Sequence, residues 1–265
     1  MNVARRKFEE LTWALGVHRA AMRIYQVTAG RRASRSNEKR RAFYSQLLSK
    51  GQLVFDIGAN LGQYANAMES AGTRVIAVEP NADCLRHIEL AYAGRRIETI
   101  HAAVGERDGL AQIRISDVRD TISTMSDSFM ETMKQQRKDY ANDWNRTVTV
   151  PVISLDTLIR HYGLPDYIKI DVEGFEENVL DGLSSQPPLF SFEFNLAYLN
   201  VAFACLDKPV VARNSTFNFI WDAGVDDTFE LSQWSSCDEL KQRLTGMAVM
   251  EKYGDIFVRT SGTRI

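Results

Sequence analysis

The sequence contains only three cysteines, Cys84, Cys205 and Cys237, and they lie far apart. They form no Cys-x-x-Cys pair and no zinc-finger spacing, which argues against a disulfide-stabilised scaffold and a structural zinc site. Charged residues interrupt the first twenty positions, so there is no apolar core for a signal peptide. No apolar run approaches the roughly 18 residues of a membrane span. We therefore expect a cytoplasmic protein without a transmembrane segment.

The chain also lacks internal repeats, low-complexity tracts and any strong compositional bias. Hydrophobic residues make up 45% and charged residues 25% of the 265 positions, as in ordinary globular domains. The net charge of −2 conceals an asymmetry, since residues 1–50 carry 12 Lys/Arg and 3 Asp/Glu whereas the remainder carry 20 and 31. We expect a basic helical N-terminal extension over residues 1–50 and an acidic domain over 51–265. This balance argues against a wholly basic nucleic-acid binder.

Short apolar runs alternate with helical patterns along the domain. Predicted strands cover residues 53–55, 74–78, 97–102, 109–115, 146–153, 167–170 and 189–194, with closing strands at 217–221 and 255–259. Predicted helices cover residues 61–70, 82–91, 155–161, 175–183 and 235–245. This alternation predicts an α/β fold with a doubly wound, mostly parallel sheet. A polar stretch over about residues 117–145 breaks the rhythm, and we interpret it as an insertion formed by a hairpin that carries a helix.

The first candidate site is a loop after the first predicted strand, running from Asp56 through Gly58, Asn60 and Gly62. Glycines there allow a ligand to approach the backbone, and the following helix N-terminus favours an anionic group. Glu79 ends the next strand, where an acid can accept hydrogen bonds from two ribose hydroxyls. Because the Gly-x-Gly-x-x-Gly pattern is absent, a nucleoside without pyrophosphate fits better than a dinucleotide.

The second candidate site follows the strand at 167–170. Asp171 and Glu173 stand two residues apart at its end, where ligands bind in open α/β sheets. Several carboxylates close to one strand end are energetically costly unless they face a cation, a metal or water. A sulfonium would supply the cation. Glu176 is either part of this site or a first-turn helix acid, whereas Glu177 is read as the latter.

Four motifs in this order resemble FkbM-type methyltransferases. They are Asp56-Ile-Gly-Ala-Asn-Leu-Gly62, Val78-Glu79-Pro80, Ala103-Val-Gly-Glu-Arg-Asp-Gly109 and Ile168-Lys-Ile-Asp-Val-Glu-Gly-Phe-Glu176. The resemblance implies a class I (Rossmann-like) fold that uses S-adenosyl-L-methionine, releases S-adenosyl-L-homocysteine, and usually methylates hydroxyl oxygens of natural products, sugars or lipids. It implies cofactor contacts from Asp56, Gly58, Asn60 and Gly62 (methionine end), Glu79 with Pro80 (ribose), Ala102 and Ala103 (adenine), and Asp171 (amino group or reacting centre).

A hydroxyl acceptor needs a base. We expect Glu173 to serve, with Glu193 at the end of a later strand as second choice and Asp171 beside them. A metal site of Asp171, Glu193 and Asn195 is an alternative. We expect no metal, however, because the positive charge of a sulfonium already balances these carboxylates. N-methylation, a non-catalytic nucleoside-binding module and an NAD-dependent oxidoreductase are the competing functions.

The remaining expectations concern partners. The acceptor is a small molecule, a glycan or a lipid, recognised by segments outside the four motifs. Apolar residues of the insertion either line an acceptor pocket or pack the inserted helix. The basic N-terminal helices bind an anionic acceptor, a membrane surface or a second copy of the chain in a homo-oligomer, or they present a solvated basic face on a helix that docks onto the domain.

Overall fold

The computed structural model of the protein describes residues 30–115, 124–126, 130–131, 146–196, 199–221, 228–247 and 252–261. Its centre is a sheet of seven strands: β1 (Leu53–Ile57), β2 (Arg74–Val78), β3 (Ile97–Ile100), β7 (Tyr167–Ile170), β8 (Leu189–Asn195), β9 (Ser215–Trp221) and β10 (Tyr253–Thr260). Their order across the sheet is β3-β2-β1-β7-β8-β10-β9. The pairs among β3, β2, β1, β7 and β8 are parallel, while β10 runs antiparallel between β8 and β9. The prediction of a doubly wound, mostly parallel sheet is confirmed.

Eight helices are described along the chain. They are α1 (Gly30–Leu47), α2 (Gln63–Ser70), α3 (Ala82–Ala91), α4 (Leu155–Tyr162), α5 (Glu176–Asp181), α6 (Leu199–Asp207), α7 (Pro209–Ala212) and α8 (Cys237–Gly246). The predicted helix at 175–183 is shorter at both ends, since Phe175 and Gly182 flank it as caps. The short helices α6 and α7 were not predicted.

The sheet separates two cores, because its central strands are buried on both faces. On one face, Phe43 and Tyr44 of α1 and Met68 of α2 pack against Val54, Tyr167 and other strand residues. On the opposite face, strand side chains such as Phe55 and Phe192 pack against α4, α5, α6 and α8. Helix α1, from the basic N-terminal segment, therefore packs against the sheet.

A second, three-stranded sheet interrupts the α/β alternation. It contains β4 (Ala103–Val104), β5 (Gly109–Ile115) and β6 (Arg146–Ile153) in the order β4-β6-β5. Strands β5 and β6 form an antiparallel pair that flanks the predicted insertion. The helix predicted within the insertion lies mostly outside the described residues.

The predicted third strand was wrong at its end. It was expected to run to residue 102, but β3 ends at Ile100. The N–H of Ala102 then donates to the carbonyl oxygen of Ile100 at 3.1 Å, and Ala103 pairs with Val152 in the smaller sheet. Pairing with a distant strand, rather than the local apolar run, decides where β3 stops.

Two further expectations concern association of copies and membrane insertion. Residues 1–29 lie outside the described part, so association through the N-terminal helices stays a prediction. No helix in the described segments combines the length and apolarity that a membrane crossing requires.

Candidate active site

Charged side chains gather near the carboxyl ends of the central parallel strands. Strand register places Asp56 beside Lys169, and Lys169 beside Ser191. Residues paired across neighbouring strands project from the same face, and so do residues two apart on one strand. One step nearer the strand ends, the same face therefore carries Asp171, Glu193 and Asp255. The structure thus brings both predicted sites together, on the face that α1 and α2 cover.

The glycine loop is shaped by its contacts with the protein itself. Gly58 has a φ of 79°, and a Cβ at this position would lie 1.8 Å from the carbonyl oxygen of Asp171. Gly62 has a φ of 72°, and a Cβ there would lie 2.9 Å from both Ile88 and Tyr92. Asn60 between them has a φ of 49°, an uncommon conformation for a residue with a side chain. Both glycines are required by close packing, independently of any ligand.

Glu79 connects two of the loops. Its Oε2 accepts the backbone N–H of Asn60 at 2.8 Å, and its Oε1 accepts that of Asn81 at 2.8 Å. Burial raises the pKa of Glu79 to about 7, although these two hydrogen bonds act in the opposite direction. Since an ionised carboxylate has about four acceptor sites, both oxygens keep capacity for another donor.

Asp56, at the start of the glycine loop, is a buried acid. Burial raises its pKa to about 7, while Lys169 and the backbone N–H of Ala65 lower it. Its Oδ2 has no hydrogen-bond partner within the described part of the chain. A buried carboxylate oxygen left in this way is costly, which marks a place where a ligand donor would be stabilising.

The proposed adenine-side residues lie where the chain leaves the main sheet. The carbonyl oxygen of Pro80 is 3.0 Å from Nε2 of His101, which ties the loop after β2 to the end of β3. Ala102 and Ala103 follow directly and are both buried. Ala103 belongs to β4, in the smaller sheet.

The loop after β7 has a strained residue at its centre. Glu173 has a φ of 54°, and its carbonyl oxygen accepts a hydrogen bond from Oγ1 of Thr124 at 2.8 Å. Left-handed backbone at a residue with a side chain is uncommon and often occurs at functional sites. The hydrogen bond also ties the insertion to this loop.

Glu176 holds the same loop from inside. Its Oε1 accepts the N–H groups of Val172 at 3.2 Å and Gly174 at 3.1 Å. Burial raises its pKa to about 7. Glu177 instead pairs with Lys208, 3.4 Å away. Glu176 does stand in the first turn of α5, as one of the two interpretations had it, and these contacts show that it also organises the loop after β7.

Glu193 lies beside this loop on β8. Burial, and then the neighbouring carboxylates of Asp171, Glu173 and Glu176, raise the pKa of Glu193 well above its usual range. Within the described segments, no group of three or more His, Cys, Asp or Glu side chains is arranged to hold a metal ion.

Sequence reasoning missed the cation at the centre of the site. Nζ of Lys169 lies 2.7 Å from Oδ2 of Asp171 and 3.7 Å from Oδ1 of Asp255. It also lies 4.2 Å from the ring centroid of Tyr64, while Cζ of Arg40 on α1 lies 4.3 Å from the same centroid. A single charge within an apolar strand sequence was the available signal, because such a charge must be paired when buried.

Comparison with known proteins identifies the family. A profile of the methyltransferase FkbM domain matches residues 56–223, whereas a search of curated protein sequences finds no match. Similar solved structures include precorrin-6y C5,15-methyltransferase from Geobacter metallireducens (TM-score 0.45, 14% identity, 84% of this chain and 88% of that one). The plantazolicin methyltransferase BpumL in complex with SAH has a TM-score of 0.42 and 10% identity, over 92% of this chain and 90% of that one. The family profile spans more than half of the sequence, and the chain belongs to the FkbM family of S-adenosylmethionine-dependent methyltransferases.

Proposed function

We propose that this protein transfers the methyl group of S-adenosylmethionine to a hydroxyl oxygen of a small-molecule, glycan or lipid acceptor. The observation that carries the proposal is the placement of Glu173. This acid is held in a left-handed conformation at the carboxyl end of a central strand, two residues beyond Asp171. A carboxylate there can receive the hydroxyl proton while the acceptor oxygen attacks the methyl group.

The residues present fit the cofactor. Glu79 keeps acceptor capacity on both oxygens, which suits two ribose hydroxyls, and Oδ2 of Asp56 lacks a donor. The residues that would hold the cofactor are Asp56, Gly58, Asn60, Gly62, Glu79, Pro80, Ala102, Ala103 and Asp171. When bound, the cofactor supplies an electrophilic methyl group on a positively charged sulfur. The protein's contribution is alignment, since well-oriented groups react with effective molarities of about 10⁵–10⁸ M.

The structure supports Glu173 over Glu193 as the base. A general base must be unprotonated, and burial together with three neighbouring acids raises the pKa of Glu193. A protonated Glu193 donates a hydrogen bond rather than accepting a proton. Glu173 is partly exposed, and its backbone carbonyl accepts a hydrogen bond from Thr124.

The acceptor side is formed by the loop after β7 and the insertion fastened to it. Met125 of the insertion packs against the smaller sheet, beside Val150 and Ile113. This contact supports the packing role over the pocket role for Met125. The proposal also includes association of copies through the N-terminal helices and a cytoplasmic location.

The test compares methyl transfer by wild type and by Glu173→Gln. Acceptors are found as products heavier by one methylene in extracts incubated with the enzyme and S-adenosylmethionine, and turnover is then measured on the purified acceptor. Glu173→Gln should slow O-methylation by about 10²–10⁴-fold, the contribution of a positioned base. Glu177→Gln is the matched control, since its partner Lys208 belongs to a surface ion pair, and it should keep wild-type turnover.

The same experiment separates the competing functions. An amine acceptor needs less help from a base, so normal turnover in Glu173→Gln would contradict the role of Glu173 as the base, and a product methylated on nitrogen would contradict the O-methylation proposal. Absence of any methylated product, with S-adenosylhomocysteine still bound, would favour a non-catalytic nucleoside-binding module.

A further inference from the structure

Lys169 occupies an unusual position for a lysine. It lies in β7, at the middle of the seven-stranded sheet, and its side chain is 1% exposed. A lysine ammonium loses its hydration when buried, so it is found inside proteins only when paired. Its neighbours should therefore explain why the fold retains it.

Acidic side chains from several strands surround the ammonium of Lys169. Oδ2 of Asp171 lies at hydrogen-bond distance, 2.7 Å, whereas Oδ1 of Asp255 lies at 3.7 Å. Burial lowers the pKa of Lys169, but the surrounding acids outweigh it and the pKa is raised. The titratable or charged groups around the lysine and Asp171 are Arg40, Tyr44, Asp56, Tyr64, Glu79, Tyr167, Glu173, Glu176, Glu193 and Asp255. The ammonium is a buried cation among these acids, and the guanidinium of Arg40, also buried, contacts the same Tyr64 ring.

Its two acidic partners differ in what they can reach. Asp255 is 3% exposed and lies on β10, opposite Glu193 of β8. The side chain of Asp171 is 28% exposed and stands at the end of β7. The bond to Lys169 uses Oδ2 of Asp171, so Oδ1 can accept from a cationic group in the crevice. Lys169 itself reaches no solvent and therefore acts only through Asp171.

We propose that Lys169 is a positioning residue of the methyltransferase site: it fixes the carboxylate of Asp171 toward the cofactor and balances the charge of the surrounding acids. This inference rests on the proposed function. The ring of Tyr64 closes the position from the helix side, 4.2 Å from the ammonium. The cation is thus held by an aromatic face on one side and by carboxylates on the other, and the rotation of Asp171 is restricted by a short charged hydrogen bond.

The test is a calorimetric titration of S-adenosylmethionine into wild type and three variants at pH 7.5. Lys169→Met removes the ammonium but leaves the charge of Asp255 buried without its cation, which is expected to destabilise the fold. The double variant Lys169→Met/Asp255→Asn removes one charge of each sign and keeps the buried net charge of the wild type. Asp255→Asn alone keeps the bond between Lys169 and Asp171. Melting temperatures confirm that each titrated variant is folded.

The proposal expects the double variant to bind S-adenosylmethionine about 10- to 100-fold more weakly, the effect of losing one charged hydrogen bond. Asp255→Asn should change the affinity less than about threefold, because its contact with Lys169 exceeds hydrogen-bond length. A folded double variant with wild-type affinity would overturn the proposal, and so would an Asp255→Asn variant weakened as strongly as the double variant. If wild type itself failed to bind, the proposed function would fall instead, so the two failures are distinguishable.

Discussion

Replacing Gly58 by alanine tests whether the glycine loop is shaped by the sheet or by its ligand. The new Cβ would lie 1.8 Å from the carbonyl oxygen of Asp171 and 2.9 Å from its carbon. Ordinary contacts of a Cβ are 3.4 Å or longer, so β1 and β7 must separate locally by more than an ångström. Forced overpacking costs about 1–3 kcal/mol, and a left-handed φ adds about 1–2 kcal/mol for a residue with a Cβ.

We therefore expect Gly58→Ala to lose about 2–5 kcal/mol of stability, or roughly 10 °C in melting temperature, measured by thermal unfolding without cofactor. Gly94→Ala is the matched control. Its φ of 82° is nearly the same, but a Cβ there meets nothing within 4 Å, so only the conformational cost applies. If Gly58→Ala melted no lower than Gly94→Ala, the close approach to Asp171 would not be what requires a glycine.

Three further predictions follow from buried acids and the insertion. Asp56 and Glu79 have pKa values raised to about 7. The folded protein therefore binds more protons than the unfolded chain between about pH 4 and 7. The melting temperature without cofactor should fall as the pH rises through this window. A rise in melting temperature across the same window would contradict this assignment. Because a cationic ligand favours the ionised acids, affinity for S-adenosylmethionine should weaken below about pH 7, and more steeply than affinity for uncharged-sulfur S-adenosylhomocysteine; parallel pH profiles in calorimetry would exclude a sulfonium effect. Thr124→Val removes the hydrogen bond to Glu173 and should slow methyl transfer while leaving cofactor affinity unchanged, whereas Thr124→Ser keeps the hydroxyl and should restore the rate.

Several strand ends could be predicted from the sequence because the apolar runs of β1, β2 and β7 each lead to an acid, although β1 continues past Asp56 to Ile57. The strand over 74–78 and the strand over 167–170 have the predicted bounds in the structure. Parallel strands place their carboxyl ends on one edge, so Asp56 and Asp171 could be expected to lie near each other. The register between β1 and β7 supports that expectation.

The polar interior of the site could not be predicted in the same way. Lys169 and Asp255 are 86 positions apart in sequence and meet through β8. Lys169 is the single charge of β7, whereas Asp255 shares β10 with Arg259, and neither pattern names the partner. The contact of Glu79 with Asn60 is also non-local, since Asn60 belongs to another loop, whereas Asn81 is only two residues away in sequence.

The predictions of two elements, β3 and α6, failed for different physical reasons. The end of β3 was misplaced because alanines continue the apolar run, while the chain turns at His101 to pair with β6. Helix α6 was missed because Leu199–Asp207 is apolar around most of its circumference and shows little amphipathic pattern. Gly58 shows a third limit, since a glycine required by sheet packing and one required by a ligand look identical in sequence.

The central claim is that strand-end acids form the cofactor site, and titration of S-adenosylmethionine into Glu79→Gln tests it most directly. The amide nitrogen of glutamine cannot accept, so one of the two loop N–H bonds and the charge of the acid are lost together. Glu98→Gln is the control, because Glu98 is half exposed on β3 and pairs with Arg74. The account predicts tight binding by wild type and Glu98→Gln, and at least about tenfold weaker binding by folded Glu79→Gln. Equal affinity in all three proteins would contradict it.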